Sequence, residues 1–462
     1  MIMKNLFTSR KSLVFALLLV AILLFPSGGF AATSVGGRIS TDTTWTLSGS
    51  PYVVTSPVQF YGTTSTPITL TIEPGVVVKF QASTNLQIAN GTSYPAVLSA
   101  VGTGGTPIIF TSYKDDTAGG DTNGDGSATS PAPGNWNNII LSQGSSSSVL
   151  DHTEVRYGGG GGQGNIYVYQ SSPAIQNSVI NQSSNIGISI FTQTVSSAPN
   201  ILNNQILQNS TYGIKTQSTY NGTTPVSGLI QGNTISSSGQ YGMYFDGVIS
   251  STIQNNQIAQ GLYFTSASGS PVLTGNQIMD LGSVTVQVPA DILEMFQTQN
   301  TLQGIGPTTS LNVLGDTMTG TTTLTTQWYS YVVVSGTLSV NGTTGNPATL
   351  LIQAGVRMSF ASSSGINIGS STSTPGILKV LGTSASPVTF TKSGTSAWPG
   401  ITLSSGTVGA QTILQYAVLE YAGTGTSPTI AGLTIISISP TLERQYGTVR
   451  RAGSNCTMPR LR

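Results

Sequence analysis

Between residues 166 and 288 apolar residues come in short bursts, set apart by Gln, Asn, Ser, Thr and Gly, and the bursts recur in a fixed order. Pro173-Ala174-Ile175-Gln176-Asn177 is followed by Pro199-Asn200-Ile201-Leu202-Asn203 and then by Leu229-Ile230-Gln231-Gly232-Asn233. Thr252-Ile253-Gln254-Asn255 and Pro271-Val272-Leu273-Thr274-Gly275-Asn276 continue the series. The Asn-to-Asn step is about 20 to 30 residues, the length of one solenoid rung. Gly187-Ile188-Ser189-Ile190, Gly213-Ile214 and Gly242-Met243-Tyr244 hold similar places within a repeat. No helical i, i+3, i+4 spacing accompanies these bursts, and no propeller blade of roughly 40 residues with a Trp-Asp signature is present. The pattern therefore predicts an all-β parallel solenoid: short strands stacked along one axis, Ile, Val and Leu turned inward, and Asn stacking at the bends. A short helix is expected only near Asp291 to Phe296.

A longer repeat encloses this one. Tyr52-Val53-Val54 returns as Tyr331-Val332-Val333, an offset of 279 residues. Thr71-Ile72-Glu73-Pro74-Gly75-Val76 returns as Leu351-Ile352-Gln353-Ala354-Gly355-Val356, and Trp136-Asn137-Asn138-Ile139 as Trp398-Pro399-Gly400-Ile401. A duplicated module accounts for matches in this order. Gly75 and Gly355 persist while Glu73 and Pro74 change, so the Gly is read as a turn residue with positive φ and the Glu as surface. The expected organisation is a first module over residues 32–290 with an N-terminal cap and an inserted acidic loop at 115–135. A linker at 291–315 and a second, degraded and partial module at 316–440 complete it.

Composition sharpens this picture. Charged residues make up 7% of the chain and the net charge is +1, which leaves no basic footprint for nucleic acid. The 38% hydrophobic content argues against disorder. Lys4, Arg10 and Lys11 precede an apolar run from Leu13 to Phe25 and then Gly29-Phe30-Ala31, the layout of a cleavable signal peptide over residues 1–31. That run falls short of the roughly 20 residues a membrane span needs, so no integral segment is expected after cleavage, and a secreted or cell-surface protein is. Cys456 is the only cysteine, which excludes an intrachain disulfide. Residues 441–462 hold five of the arginines and break the repeat; this basic tail reads as a sorting segment or as the product of a truncated or shifted frame.

The run from Thr46 to Tyr157 resembles bacterial exported right-handed β-helix proteins, which are similar in rung pattern to the pectin-lyase-like and periplasmic copper-maturation β-helices. Ser50-Pro51-Tyr52-Val53-Val54, Leu70 to Phe80, Gly102 to Thr111, Gly120 to Gly126, Pro133-Gly134-Asn135-Trp136 and Val155-Arg156-Tyr157-Gly158-Gly159 carry the likeness. It implies a right-handed parallel β-helix. It implies no single activity, because such rungs support lyases, hydrolases, epimerases and adhesive proteins alike.

Three groups of residues could carry chemistry. Asp121, Asn123, Asp125 and Ser127 stand at positions 1, 3, 5 and 7 of a calcium-type loop, with Gly126 at position 6 and Asp115 and Asp116 just upstream. Position 12 is Ala132 in place of a bidentate Glu, so a structural Ca2+ rather than a catalytic one is expected. His152, Glu154 and Arg156 would share a strand face if the strand ran through all three, and an acid, a base and a cation together suit proton abstraction from a uronic acid. The second copy has Tyr416, Val418 and Glu420 there, as a tolerant surface strand would. Tyr167, Tyr169, Tyr212, Tyr220, Tyr241, Tyr244 and Tyr263 could form a platform for sugar rings or cap the hydrophobic stack. The expectation is a binding, adhesive or structural role toward a polysaccharide or cell-surface glycan, with a polysaccharide lyase or glycoside hydrolase as the alternative.

Overall fold

The computed structural model describes residues 32–423 except 219–223, 237 and 267, and beyond them the strands Leu433–Ile435, Thr441–Glu443, Thr448–Arg451 and Ser454–Thr457. The chain is a parallel β-helix. Each rung lays down one strand on each of three faces, as in Ala174–Gln176, Val179–Asn181 and Ile188–Thr192, and the next rung repeats them as Asn200–Leu202, Gln205–Leu207 and Tyr212–Ser218. Pairing between these rungs is parallel and in register. Inward residues form columns: Leu150, Ile175, Ile201, Ile230, Ile253 and Leu273 line up on the first face, all buried. Val155, Ile180, Ile206, Ile235, Ile258 and Ile278 do so on the second. β-branched side chains suit these columns because their stiff χ1 rotamers pack on a pleated surface without further loss of freedom.

The bend from first to second face uses two consecutive residues for two different tasks. The first takes a left-handed conformation: His152 (φ 49°), Asn177 (50°), Asn203 (56°), Gly232 (68°), Asn255 (56°) and Gly275 (66°). Asn and Gly tolerate that region best. The second faces inward and, from Asn204 on, is always Asn. Nδ2 of Asn204 donates to Oδ1 of Asn233 (3.0 Å), Asn233 to Asn256 (2.9 Å), Asn256 to Asn276 (2.9 Å) and Asn276 to Asn300 (2.8 Å). Each Oδ1 also accepts the backbone N–H of the ladder residue one rung before, and each Nδ2 also reaches a carbonyl of the neighbouring rung, as Asn256 does to Ile230. Asparagine stacking is thus present, but the ladder is Asn204, Asn233, Asn256, Asn276 and Asn300. Asn177, Asn203 and Asn255, part of the expected series, are corner residues.

Residues 291–315 are not a linker between modules. Thr301–Leu302 pairs with Gln277–Ile278, and Ser310–Leu314 pairs with Val286–Pro289 on one side and Ser330–Ser335 on the other. The third-face sheet therefore passes without a break from the first copy into the second. The helix α1 (Leu293–Thr298) takes the place of one first-face strand, packed between Val272–Thr274 and Thr321–Leu324. Leu293 and Phe296 bury its inner side. One consequence is a change of stacking partner. Tyr331-Val332-Val333 repeats Tyr52-Val53-Val54, a second-face segment, yet it stacks on the third face of the first copy. The second-face segments of the second copy thus continue the third face of the first, whereas its first-face counterpart, Ala348–Gln353, follows Val272–Thr274 through Thr321–Leu324 and α1. At its far end Thr441–Glu443 still stacks on Ile413–Gln415, so the repeat runs three residues past the expected stop, and Thr448–Arg451 pairs antiparallel with Ser454–Thr457. Gly75 and Gly355 both have φ 81°, as the comparison of copies requires.

The two bend positions respond oppositely to substitution. Asn256→Ala leaves the buried Oδ1 of Asn276 and several buried backbone groups short of partners, and should lower stability by about 2 to 4 kcal/mol. Asn255→Gly should change it by less than about 1 kcal/mol, because Gly adopts the left-handed corner at no steric cost. Thermal and denaturant unfolding of the two variants checks the contrast.

Candidate functional site

The inserted loop is anchored by an aromatic stack. Trp136 lies on Phe80 with ring centroids 4.1 Å apart, and its Nε1 donates to the Arg156 carbonyl at 2.9 Å. In the second copy Trp398 stacks on Phe360 at 4.2 Å and donates to the Glu420 carbonyl at 2.9 Å, with only a short turn before it. The Trp is scaffold, and the acidic segment in front of it is an addition of the first copy. That segment leaves the end of strand Ile108–Ser112, folds across the outer side of the second face as far as Pro51, and returns to Trp136.

Beneath it lies an ionic latch. Arg156 meets the fully buried Asp115 through Nη2 (2.7 Å) and Nε (2.9 Å), Glu154 through Nη1 (2.8 Å), and the Thr117 hydroxyl through Nη2 (2.9 Å). Thr111 and Thr117 donate to the same Asp115 carboxylate. Burial by itself would raise the pKa of Asp115. The hydrogen bonds from Thr111 and Thr117 and the charge of Arg156 outweigh it and hold the carboxyl below its ordinary range. Lys79, wholly buried on the same outer column, donates to the Gly120 carbonyl. Its desolvation lowers its pKa against the raising pull of Asp115, Asp116 and Asp121.

Asp115 is therefore occupied, and Asp116 joins the calcium-type sequence in its stead. One carboxylate oxygen from each of Asp116, Asp121 and Asp125 lies within 4.8 Å of the others. Asp121 accepts the N–H groups of Gly124 (2.8 Å) and Gly126 (2.9 Å), which curls the loop around it. The Asn123 amide nitrogen donates to Asp125 (2.8 Å) and Thr129 (3.1 Å). Asp116 Oδ1, Asn123 Oδ1, Asp125 Oδ1 and Thr122 Oγ1 are shielded from solvent and have no hydrogen-bond partner. Desolvation, followed by the charges of Asp121 and Asp125, pushes the Asp116 carboxyl up. Asp116, Asp121, Asn123 and Asp125 could hold a hard cation; Ser127 is exposed and makes no side-chain hydrogen bond.

His152 does not join Glu154 and Arg156. Its left-handed backbone ends the first-face strand at Asp151 and restarts the count at Thr153, so strand alternation does not extend to it. Its Nδ1 faces the Asp151 carboxylate at 2.7 Å. The expected acid, base and cation are thus split, and Arg156 is committed to the latch.

The tyrosines fall into two groups on the outer side of the third face. Tyr167, Tyr169 and the unanticipated Phe191 form one, with Tyr169 and Phe191 stacked at 5.6 Å. Tyr212, Tyr241, Tyr244 and Tyr263 form the other: Tyr212 and Tyr244 stack at 4.6 Å, Tyr244 and Tyr263 at 5.5 Å and 4°. Strand register places Lys215 between Ser189 and Tyr244, with its ammonium 5.9 Å from the Tyr212 ring and 5.7 Å from that of Tyr244. Among the described residues no carboxylate lies within ion-pair distance of it. Asp246, on the strand Tyr241–Asp246, accepts from Thr265 at 2.8 Å. Burial pushes Tyr167 up to about 12, with Tyr169 adding to the rise, and raises Tyr212, Tyr241 and Tyr244 as well. These rings are half-buried, with edges open along one side of the solenoid. Tyr220 lies outside the described residues, as does the segment 1–31, and no described helix is long and apolar enough to cross a membrane.

Lys79 and Phe191 were the residues missed. Lys79 has a signal in the duplication: where the second copy lacks the loop it has Ser359 in place of the lysine. Compared with family models, curated proteins and solved structures, the chain gives no match.

The latch sets an acid limit for the loop. Because the folded-state pKa of Asp115 is depressed, its contribution is present above the ordinary carboxylate range and is lost as pH falls through the depressed value. Arg156→Ala strands a buried carboxylate and should cost about 3 kcal/mol. Limited proteolysis should then cut residues 113–135 first, while Arg357→Ala, outside the latch, should leave the cleavage rate unchanged.

Proposed function

We propose that this chain is an exported scaffold that binds a linear glycan along the outer side of its third face. The observation that carries the reading is the ring stack of Tyr212, Tyr241, Tyr244 and Tyr263 around Lys215. Tyrosine offers a flat apolar body to a sugar ring and a hydroxyl to its rim, and a ladder at strand spacing repeats that offer every 4.8 Å or so along the axis. Lys215 and Asp246 add a donor and an acceptor for sugar hydroxyls. A rigid, pre-formed row of half-buried rings loses little conformational freedom when it binds.

Calcium fits the same reading as a structural partner of the acidic loop. Hard oxygens suit Ca2+, and the unpartnered oxygens of Asp116, Asn123, Asp125 and Thr122 are of that kind. The crowding that raises the Asp116 pKa opposes the cation-free loop increasingly as pH rises through the carboxylate range, and a bound divalent ion would reverse that sign. Melting should shift upward with added Ca2+, by about 2.7 kcal/mol of stability at a hundredfold excess over Kd, and the shift should shrink as the solution is acidified. A double Asp116→Asn, Asp125→Asn variant should lose it.

The glycan reading is tested with a panel of purified polysaccharides scored for retention and for new reducing or unsaturated ends. Retention without cleavage, abolished by Tyr244→Ala with Tyr263→Ala while the melting temperature stays within a few degrees, is expected. Retention that survives this double change overturns the site. New chain ends lost in His152→Ala would favour the lyase or hydrolase alternative.

A further inference from the structure

Resting on the calcium reading of the acidic loop, we infer that the buried ammonium of Lys79 matches that loop to a divalent cation: it keeps the affinity low and stops the site from favouring ions of higher charge. Lys79 stands on the strand Val77–Phe80, beneath the loop, and is wholly buried. It pairs in register with Thr111, whose hydroxyl lies 3.3 Å from Arg156 Nε, so two cations and a hydroxyl share one outer column under the acidic segment. The ammonium donates to the carbonyl of Gly120, the residue before Asp121. No carboxylate among the described residues lies within ion-pair distance of it, yet Asp115, Asp116 and Asp121 all act on it through space.

The charge balance carries the argument. Asp115 and Glu154 are paired with Arg156. That leaves Asp116, Asp121 and Asp125, with carboxylate oxygens within 4.8 Å of one another, facing the single positive charge of Lys79. The remainder is two negative charges, which one divalent ion cancels. Without the lysine three would remain, the charge of a trivalent ion. Ligand charge count is one of the properties that tune oxygen-ligand calcium loops. A hydroxyl could satisfy the Gly120 carbonyl at far smaller desolvation cost than a buried ammonium, so the charge is what this position supplies. The second copy agrees: it lacks the acidic loop, has Ser359 in place of Lys79, and keeps the same strand pairing there.

A fixed charge acts on an ion in proportion to that ion's own charge. Removing Lys79 therefore raises the logarithm of the binding constant in the ratio two to three for a divalent and a trivalent ion in the same loop. Loss of the hydrogen bond to Gly120 works the other way, because a looser loop weakens every ion regardless of its charge. The two roles open to Lys79, countercharge and pin, thus predict opposite signs.

Calorimetric titration of CaCl2 and, separately, of TbCl3 into the full chain tests this. Lys79→Met and Lys79→Ser should each bind Ca2+ about fivefold more tightly than the unaltered chain, and Tb3+ about tenfold more tightly. Lys79→Arg, which keeps the charge, should stay within about twofold for both ions. Circular dichroism of the two neutral variants should match the unaltered chain, as the second copy folds with Ser at this position. Lower or unchanged Ca2+ affinity in both neutral variants would overturn the inference and leave Lys79 as a pin for Gly120. Equal gains for the two ions would overturn it too, because a charge effect must scale with the ion. Failure of the unaltered chain and both neutral variants to bind either ion would overturn the calcium reading and this inference together.

Discussion

At the bend from first to second face each inward side-chain amide is satisfied by the same amide and the backbone one rung away, and that requirement sets the register of the rungs. Asn204, Asn233, Asn256 and Asn276 are buried and each give and accept hydrogen bonds that no solvent can replace, and the half-buried Asn300 ends the ladder. A buried polar group left short of a partner costs about 1 to 3 kcal/mol, so a rung shifted by one residue would forfeit several at once. The ladder spacing in sequence is 29, 23, 20 and 24 residues, yet a left-handed residue precedes each Asn as far as Asn276, and the helix end at Gln299 serves before Asn300. Differences in rung length are therefore pushed outward, into turns and loops, and the inner register is kept.

The candidate functional features are all outward ones. The acidic loop closes over the second face, and the tyrosines stand on the third. Their chemistry differs because their burial differs. Asp115 and Arg156 exchange hydration for each other, an arrangement that is strongly destabilising to break from one side and of modest net value when intact. It fixes where the loop lies; it does not hold the solenoid together, since the second copy keeps the Trp398–Phe360 stack and the fold without it. The tyrosines keep an open edge to solvent, which the proposed glycan site requires.

How much of this the residues disclose depends on how local the determining contact is. The inward Ile, Val and Leu columns, the positive φ of Gly75 and Gly355 and the helix near Phe296 follow from spacing and turn chemistry, and they are found as expected. The choice between adjacent asparagines does not, because Asn203 and Asn204 differ only in which side of a left-handed corner they occupy. The same corner separates His152 from Glu154, where uninterrupted alternation would have joined them. Asp115 and Asp116 are likewise neighbours sent opposite ways, one drawn to Arg156 from another rung and one placed beside Asp121 and Asp125 against their repulsion. The stacking of Tyr331-Val332-Val333 on the third face of the first copy is the least local feature of all, because the repeat itself is silent about what stacks on what. Lys79 lay within reach, since lysine and loop are absent together from the second copy.

One register runs through both copies, and the acidic loop and the tyrosines stand on its outer faces. Hydrogen–deuterium exchange across residues 280–340 tests it most directly, because backbone amides paired between rungs exchange only when the stack opens. One block of slow exchange joining Val286–Pro289, Ser310–Leu314 and Ser330–Ser335, with protection equal to that of the rungs on either side, is the result this account predicts. Fast exchange through 291–335 that divides two independently protected blocks would contradict it.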